Sequence, residues 1–318
     1  MTALVTGASG FVGRHVVAEL LRRSMMVRAA VRTGGTAALP SSSVELVGLS
    51  GLGFAATDWA NAVSGCRAVI HLAARAHVVR DAHEDPAAAF RLANVDFACA
   101  CAAAAASAGV ERFIFMSSVG VHGGVSGTRP FHAGSDLAPH TPYARSKADA
   151  ERALAEVVRG SGMALTVIRP PLVYGPGAPG NFGALMRAVE RGWPLPLGAV
   201  TGNCRSFVAI DNLVDLIVTC LDHPGAANQA FLVSDGEDLS TADLLRRLGS
   251  AMGRPARLLP VPVWALALGA KLLGKRDMFQ SLCGSLQVDM NKTRELLGWC
   301  PPTGVDEGLK KAAGGQRC

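Results

Sequence analysis

The chain has 318 residues, of which 49% are hydrophobic and 18% charged, so a disordered protein is excluded and either one large or two unequal domains are allowed. Its 31 basic and 25 acidic side chains give a net charge of +6 without any block of like charge, which argues against nucleic-acid binding and suits small phosphorylated ligands. The eight cysteines form no CxxC pair and no cluster with metal-ligand spacing. They predict reduced thiols in a cytoplasmic protein and no metal site.

No segment is expected to cross a membrane. The longest uncharged apolar stretch with helical character, Leu258 to Ala270, has 13 residues and two prolines, whereas a spanning helix needs about 20. Burial as an amphipathic helix is the favoured interpretation, and peripheral contact with a membrane surface is the alternative. The first strand begins where the basic region of a signal peptide would stand, so no secretion signal is expected.

The chain begins with a short apolar run followed by glycines spaced three apart. Ala3 to Thr6 is typical of a strand buried on both faces, and Phe11 to Leu21 carries apolar residues at helical spacing. A strand, a glycine turn and a helix let the backbone approach a pyrophosphate, which the free N–H groups of the helix N-terminus then bind. A glycine-rich turn without a ligand is the alternative. The predicted cofactor loop consists of Gly7, Ser9, Gly10, Phe11, Val12 and Gly13.

Two further positions are expected to contact this cofactor. Arg32 ends the second predicted strand, where an acidic side chain would bind the ribose hydroxyls of NAD. A cation there pairs with the 2′-phosphate of NADP, so NADP(H) is favoured over NAD(H), with a solvated surface arginine as the alternative. The strand that begins at Ala68 runs into a turn whose small residues let the backbone approach the cofactor. This turn consists of Leu72, Ala73 and Ala74.

Strand-like runs alternate with helical patterns as far as Ile168. This alternation predicts an α/β fold with a doubly wound parallel sheet of the Rossmann type, covered by helices on both faces. After Arg169 the alternation loosens, and proline and glycine become frequent. We therefore expect a cofactor domain over residues 1–169, to which segments around 203–235 return, and a smaller α/β substrate lobe over 170–318.

The predicted helix from Pro86 to Gly109 is dominated by alanine and cysteine after Asn94. Side chains this small permit close contact between helices. The helix is therefore a candidate interface of a homodimer. Burial inside the subunit explains the same composition.

A phenol and an ammonium lie four residues apart at Tyr143 and Lys147, on one face of a predicted helix. A nearby positive charge favours phenolate and is expected to lower the pKa of the tyrosine. Tyr143 could then exchange a proton with an alcohol or ketone while a nicotinamide exchanges the hydride. Ser117 or Ser118, at the end of the fifth predicted strand, could hydrogen-bond the same oxygen. A surface pair on an amphipathic helix is the alternative.

Six motifs are spread along the chain: TGASGFVG at residues 6–13, the serine pair at 117–118, YARSK at 143–147, RPPLVYGPG at 169–177, RSFVAIDN at 205–212 and LLGW at 296–299. Together they resemble the extended short-chain dehydrogenase/reductase family, and more closely its branch of NAD(P)-dependent nucleotide-sugar epimerases, dehydratases and 4-keto-reductases. The resemblance extends over the whole chain and implies a Rossmann fold that binds NAD(P).

The resemblance also implies roles for individual residues. Tyr143 matches the acid/base of the family, Lys147 the residue that binds the nicotinamide ribose, and Ser118 the catalytic serine or threonine. Asn181 and Arg205 match positions that bind the diphosphate of a UDP-sugar, and a guanidinium suits phosphate oxygens.

The reaction follows less directly from this resemblance. Sugar dehydratases of the branch carry Asp-Glu where this chain has Val119 and Gly120, so dehydration is rejected. Arg32 favours NADPH, and the overall likeness is to bacterial enzymes that reduce UDP-4-keto-6-deoxy-N-acetylhexosamines for surface polysaccharide biosynthesis. Such a 4-keto-reductase is the favoured interpretation, and a UDP-N-acetylglucosamine or UDP-glucose 4-epimerase is the alternative. The alternative that is not an enzyme is a non-catalytic NADP-binding scaffold or sensor. A steroid or phenylpropanoid reductase is disfavoured, because Arg205 and Asn181 suit a diphosphate.

Overall fold

The computed structural model describes residues 1–32, 43–50, 56–76 and 85–314. Seven parallel strands form its main sheet, and three shorter strands form a second one. The strands are β1 (Thr2–Thr6), β2 (Met26–Arg32), β3 (Val44–Leu49), β4 (Ala68–His71), β5 (Arg112–Met116), β6 (Ala164–Arg169), β7 (Leu172–Tyr174), β8 (Arg205–Ala209), β9 (Gln229–Leu232) and β10 (Asp238–Leu239). The main sheet has the order β3-β2-β1-β4-β5-β6-β9, which reverses between β1 and β4. The predicted doubly wound α/β fold is confirmed, and a crevice at this reversal is the usual place for a ligand.

Helices cover both faces of the main sheet. The described helices are α1 (Phe11–Arg22), α2 (Ala56–Val63), α3 (Pro86–Arg91), α4 (Phe97–Ser107), α5 (Pro142–Val158), α6 (Gly180–Glu190), α7 (Ile210–Asp222), α8 (Thr241–Ala251), α9 (Val263–Leu272), α10 (Arg276–Cys283), α11 (Asn291–Leu297) and α12 (Val305–Gly314). Side chains alternate along β1, so Ala3 and Val5 pack with α1 and α7 in one core. Leu4 points the other way, into a second core with α2, α4 and α5.

A third core lies in the second half of the chain, where α6, α8 and α12 pack around the short sheet. The chain returns to the main sheet through α7, and β9 then pairs with β6 in parallel. The predicted division into a cofactor domain over residues 1–169, with a return around 203–235, and a substrate lobe over 170–318 stays a prediction.

Residues 86–107 form one continuous helical stretch, with a π-helical turn at Leu92–Asp96 between α3 and α4. By length and composition alone this stretch could also span a membrane. However, Ala98, Cys101, Ala102 and Ala105 are buried in the second core. The composition of the helix therefore fits its packing against the sheet, and its role as a dimer interface stays a prediction.

The expectation that the apolar stretch 258–270 is a buried amphipathic helix is wrong. Helix α9 begins at Val263, and none of its residues is buried. Trp264 and Leu272 are 72% and 78% exposed. The stretch is apolar on every side, so its sequence contained no polar face from which the solvent side could be read.

Candidate active site

The glycine loop and the turn after β4 pack backbone against backbone. Gly7 has a φ of +68°, and a Cβ at this position would lie 2.7 Å from the backbone nitrogen of Ala73. A Cβ at Gly13 would collide with the carbonyl oxygen of Gly7. Only glycine fits either position, because one has left-handed backbone and both have no space for a side chain.

The N-terminus of α1 is open to an anion. Gly10 is its N-cap residue, no side chain in the described part of the chain caps it, and its first turn contains no acidic residue. Its first N–H groups and its dipole therefore favour a phosphate. Together with the glycine cradle, this helix end fits the pyrophosphate of a dinucleotide.

The remaining predicted cofactor positions surround this cradle. Ser9 and Ala74 are exposed, whereas Phe11, Val12, Leu72 and Ala73 are partly buried. The backbone nitrogen of Ala73 donates to the side-chain oxygen of Thr6 at 3.3 Å, which ties the two loops together. Arg32 is the last residue of β2, and its side chain lies outside the described part of the structure.

Helix α5 carries both Tyr143 and Lys147, and it brings Lys147 to the carboxyl end of β5. Its N-cap residue, Thr141, accepts a hydrogen bond from the backbone of Ala144, so Tyr143 lies in the first turn and is partly buried. Lys147 is fully buried one turn later, and its ammonium donates to the carbonyl oxygen of Met116 at 2.7 Å. The face of the helix that carries Lys147 therefore adjoins the end of a central strand.

Burial controls the protonation of both groups. Burial raises the pKa of the Tyr143 phenol to about 12. Burial also lowers the pKa of Lys147 to about 7, although the Glu151 carboxylate opposes this change. In the chain by itself the tyrosine pKa is therefore raised and not lowered as predicted, because desolvation disfavours the phenolate. At neutral pH the phenol is protonated and can donate to a substrate oxygen.

The two serines after β5 have different contacts. The Ser118 hydroxyl accepts from the backbone of Gly120 at 3.1 Å. A Cβ built on Gly120 would lie 3.4 Å from this hydroxyl and 3.5 Å from the Cβ of Ala144, so Ser118 adjoins the first turn of α5. Ser117 instead donates to the carboxylate of Glu151. Ser118 is therefore the serine that is free to serve a substrate.

A buried polar network that the sequence did not reveal supports this arrangement. Glu151 receives two hydrogen bonds from Arg169, of 2.6 and 3.0 Å. Another nitrogen of Arg169 donates to the Nε2 atom of His122 at 3.1 Å, and the Nδ1 atom of His122 then donates to the backbone of Asp136. Burial lowers the pKa of His122, which is consistent with this neutral form. Glu151 could have been found from its spacing, since it follows Tyr143 and Lys147 at intervals of four residues.

Asn94 is a second site residue that sequence reasoning missed. It is fully buried in the π-helical turn, a feature that often marks functional sites. Its side chain pairs with both backbone groups of Arg75 and donates to Ser146 at 2.8 Å. Ser146 in turn donates to the carbonyl oxygen of Tyr143. Asn94 therefore connects the turn after β4 to the helix turn that carries the phenol.

The two predicted phosphate-binding residues share one cavity of about 90 Å³ in the second half of the chain. Asn181 is exposed at the start of α6, and Arg205 is buried at the start of β8. Arg205 donates to the carbonyl oxygen of Gly284 at 2.8 Å, and burial lowers its pKa. It is therefore not the solvated surface arginine that the sequence alone allowed. The other walls are Leu172, Phe182, Leu185, Phe207, Thr241, Leu244, Ser281 and Leu282.

Comparison with known proteins gives consistent matches. Residues 3–234 match the sequence profile of the NAD dependent epimerase/dehydratase family. The UDP-glucose 4-epimerase of Vibrio cholerae is 45% identical over 312 residues, which cover 98% of this chain and 94% of that protein. The crystal structure of a Thermotoga maritima UDP-glucose 4-epimerase with UDP-glucose superposes with a TM-score of 0.81 at 24% identity, covering 100% and 99% of the two chains. A Thermus thermophilus UDP-glucose 4-epimerase in complex with NAD superposes with a TM-score of 0.78 at 25% identity and the same coverage.

Proposed function

The chain belongs to the NAD dependent epimerase/dehydratase family, and from this premise we propose that it is an enzyme that inverts C4 of a UDP-sugar with retained NAD. The observation that carries the proposal is the contact of the Lys147 ammonium, one helical turn after Tyr143, with the end of β5, at the sheet edge where the glycine cradle follows β1. The identity to the Vibrio cholerae epimerase supports epimerisation over reduction.

The cofactor would lie along the reversal of the sheet. The N–H groups at the start of α1 would bind its pyrophosphate, and the backbone at Leu72 to Ala74 would border it. Lys147 would hold the nicotinamide ribose. When bound, the nicotinamide supplies a carrier that takes a hydride from the sugar carbon and returns it.

Tyr143 would hold the proton of the C4 oxygen through both halves of the reaction. The first half of the reaction needs Tyr143 as phenolate, a form that the positive charge of a bound oxidised nicotinamide would favour over the neutral phenol of the chain alone. The phenolate would accept this proton as the alcohol becomes a ketone and would return it as the ketone is reduced. Ser118, beside the first turn of α5, would hydrogen-bond the same oxygen and keep it in place. The half-buried phenol limits access of water to this proton.

The nucleotide part of the substrate would bind between the main sheet and the second half of the chain. Arg205 carries a fixed positive charge in a cavity wall, and Asn181 supplies an amide in the same wall. A guanidinium can bind two phosphate oxygens at once, which favours a diphosphate. Epimerisation also requires the keto sugar to rotate between the two hydride transfers, so that its other face meets the nicotinamide. A bound diphosphate would keep the intermediate in the site while the sugar rotates.

One observation favours a second function. Residue 32, at the end of β2, is an arginine, and a basic residue here suits the 2′-phosphate of NADP. An enzyme that uses exchangeable NADPH would be a reductase, acting on a UDP-4-keto-6-deoxy-N-acetylhexosamine.

Product analysis with the intact protein distinguishes the two functions. UDP-galactose and UDP-N-acetylgalactosamine are incubated with the protein without added cofactor, and the anomeric protons are followed by NMR. If the protein is an epimerase, we expect it to convert the UDP-sugar to its gluco form, and we expect the denatured protein to release NAD. If neither sugar is converted but the 4-keto sugar oxidises NADPH, measured as a fall in absorbance at 340 nm, the reductase is correct. Failure of both assays would reject both functions.

A further inference from the structure

An exposed apolar stripe runs along the outer side of α9. Trp264, Leu268 and Leu272 are spaced four residues apart, so they lie on one side of the helix. Their exposed fractions are 72%, 52% and 78%. Leu273, which follows α9, and Met278, in α10, are also exposed, by 71% and 51%. The two helices pack against each other as a hairpin, residues 263–283, which we call the α9–α10 hairpin.

The fold itself does not require these outer side chains. Leu266, between the exposed positions of α9, packs against the third core and anchors the helix. The outer stripe contacts no core cluster among the described residues. Contiguous apolar surfaces of this kind usually mark a binding site.

Positive charges border the stripe at the end of the hairpin turn. Lys271, Lys275 and Arg276 are all exposed, and none pairs with a carboxylate within the ranges that the structure describes. Asp277 is the single acidic residue between 259 and 283. An apolar helix face that carries tryptophan and leucine beside basic residues is typical of helices that lie in a membrane interface.

We propose that the α9–α10 hairpin docks this protein on the surface of an anionic phospholipid bilayer. Trp264, Leu268 and Leu272 enter the boundary between headgroups and acyl chains, and Lys275 and Arg276 contact lipid phosphates. A second copy of the chain fits the surface less well. Two copies related by a two-fold axis would bring the same cluster of positive charges together across the interface.

Docking of the α9–α10 hairpin would also affect the cavity that contains Asn181 and Arg205. Ser281 and Leu282, in the last turn of α10, line the cavity of Asn181 and Arg205. A docked hairpin therefore places this cavity next to the lipid headgroups. The docking itself does not depend on which reaction the site performs.

Vesicle binding by the intact chain tests the proposal. The protein is floated with vesicles of phosphatidylglycerol and phosphatidylethanolamine, and separately with vesicles of phosphatidylcholine. We expect flotation with the anionic vesicles, weakening as salt rises, and a blue shift of tryptophan emission that is lost in Trp264→Phe. If the wild-type protein does not float with anionic vesicles, the proposal is wrong.

Two pairs of matched variants identify the surface. Trp264→Ser/Leu272→Ser is expected to lower the vesicle partition coefficient at least about tenfold, because both apolar side chains are lost from the interface. Met26→Ser/Leu46→Ser removes exposed apolar side chains of β2 and β3, and it should leave the partition coefficient unchanged.

The role of the two basic residues is tested with a second pair of variants. Lys275→Gln/Arg276→Gln is expected to lower the partition coefficient about tenfold on anionic vesicles. Arg152→Gln/Arg159→Gln removes the same charge from exposed positions in α5 and at its C-terminal end, and it should have little effect. Equal binding by hairpin and control variants would overturn the proposal. So would conversion of a larger assembly to a monomer by Trp264→Ser/Leu272→Ser without vesicle binding, since the surface would then bind another copy.

Discussion

Arg169 holds Glu151 through two parallel hydrogen bonds in the interior, between the end of β6 and the middle of α5. The carboxylate thereby fixes the helix that carries Tyr143 and Lys147 relative to the strand ends. Ser117 adds a third contact from the end of β5. The position of the phenol therefore depends on a buried salt bridge two helical turns away along α5.

Glu151→Gln tests the energetic part of this relationship. The substitution leaves the Arg169 charge buried without its counterion, so we expect the free energy of unfolding to fall by about 3 to 5 kcal/mol. Urea denaturation measures the change. Glu156→Gln is the control, because it removes a carboxylate of the same helix whose partner, Arg159, is exposed, and should cost about 1 kcal/mol or less. Equal losses in the two variants would show that the buried pair does not stabilise the fold.

Gly7→Ala tests the cofactor cradle. The new methyl group must lie near the backbone of Ala73, and the residue must keep a φ of +68°. We expect NAD affinity to fall at least about tenfold, because the loop can no longer approach the pyrophosphate. Titration calorimetry measures the affinity. Gly202→Ala serves as the control, since a Cβ there meets nothing within 4 Å. Unchanged affinity in a folded Gly7→Ala protein would place the cofactor elsewhere.

Burial of Lys147 predicts a pH-dependent stability. Its pKa is about 7 in the folded chain and near 10.5 in a solvated one. Between these values the unfolded state binds more protons, so this residue makes stability rise with pH by up to about 1.4 kcal/mol per pH unit. The contribution is complete above the unfolded value and lost as pH falls to about 7. Lys147→Met should remove this slope in urea denaturations between pH 7.5 and 9.5. Parallel pH profiles of variant and wild type would contradict the burial effect.

Arg205→Lys separates binding from chemistry. The lysine keeps a positive charge but loses the forked donor geometry, so we expect KM for the UDP-sugar to rise about tenfold with kcat nearly unchanged. Steady-state kinetics give both constants. Arg187→Lys, at an exposed position of the neighbouring helix α6, is the control and should alter neither. A fall in kcat at constant KM would mean that Arg205 acts at the reacting carbon.

The cofactor-binding residues can be predicted from the sequence because they lie close together in the chain. The glycine spacing, the buried strand before it and the helix after it are neighbours in the chain, so a linear pattern contains them. The strand and helix order as far as β6 follows for the same reason. Tyr143 and Lys147 are likewise only one helical turn apart.

Other features depend on contacts between distant segments. The sequence does not distinguish Glu151 and Arg169 from solvated surface charges. Only the fold shows that they are buried together as an ion pair. The pKa of Tyr143 is raised by burial, which a linear pattern does not show. The exposure of α9 could not be read from a stretch that is apolar on every side.

Comparison of the two tyrosines of this chain tests the central claim most directly. Tyr174 is buried and donates to Asp235 at 2.6 Å, so Tyr174→Phe affects the fold but leaves the proposed chemistry intact. Tyr143→Phe removes the proton-transferring hydroxyl. We expect kcat for UDP-sugar turnover, per folded protein, to fall about 10² to 10⁴-fold in Tyr143→Phe and only slightly in Tyr174→Phe. If Tyr143→Phe retained the wild-type kcat, the phenol would not carry the proton and the proposed mechanism would be wrong.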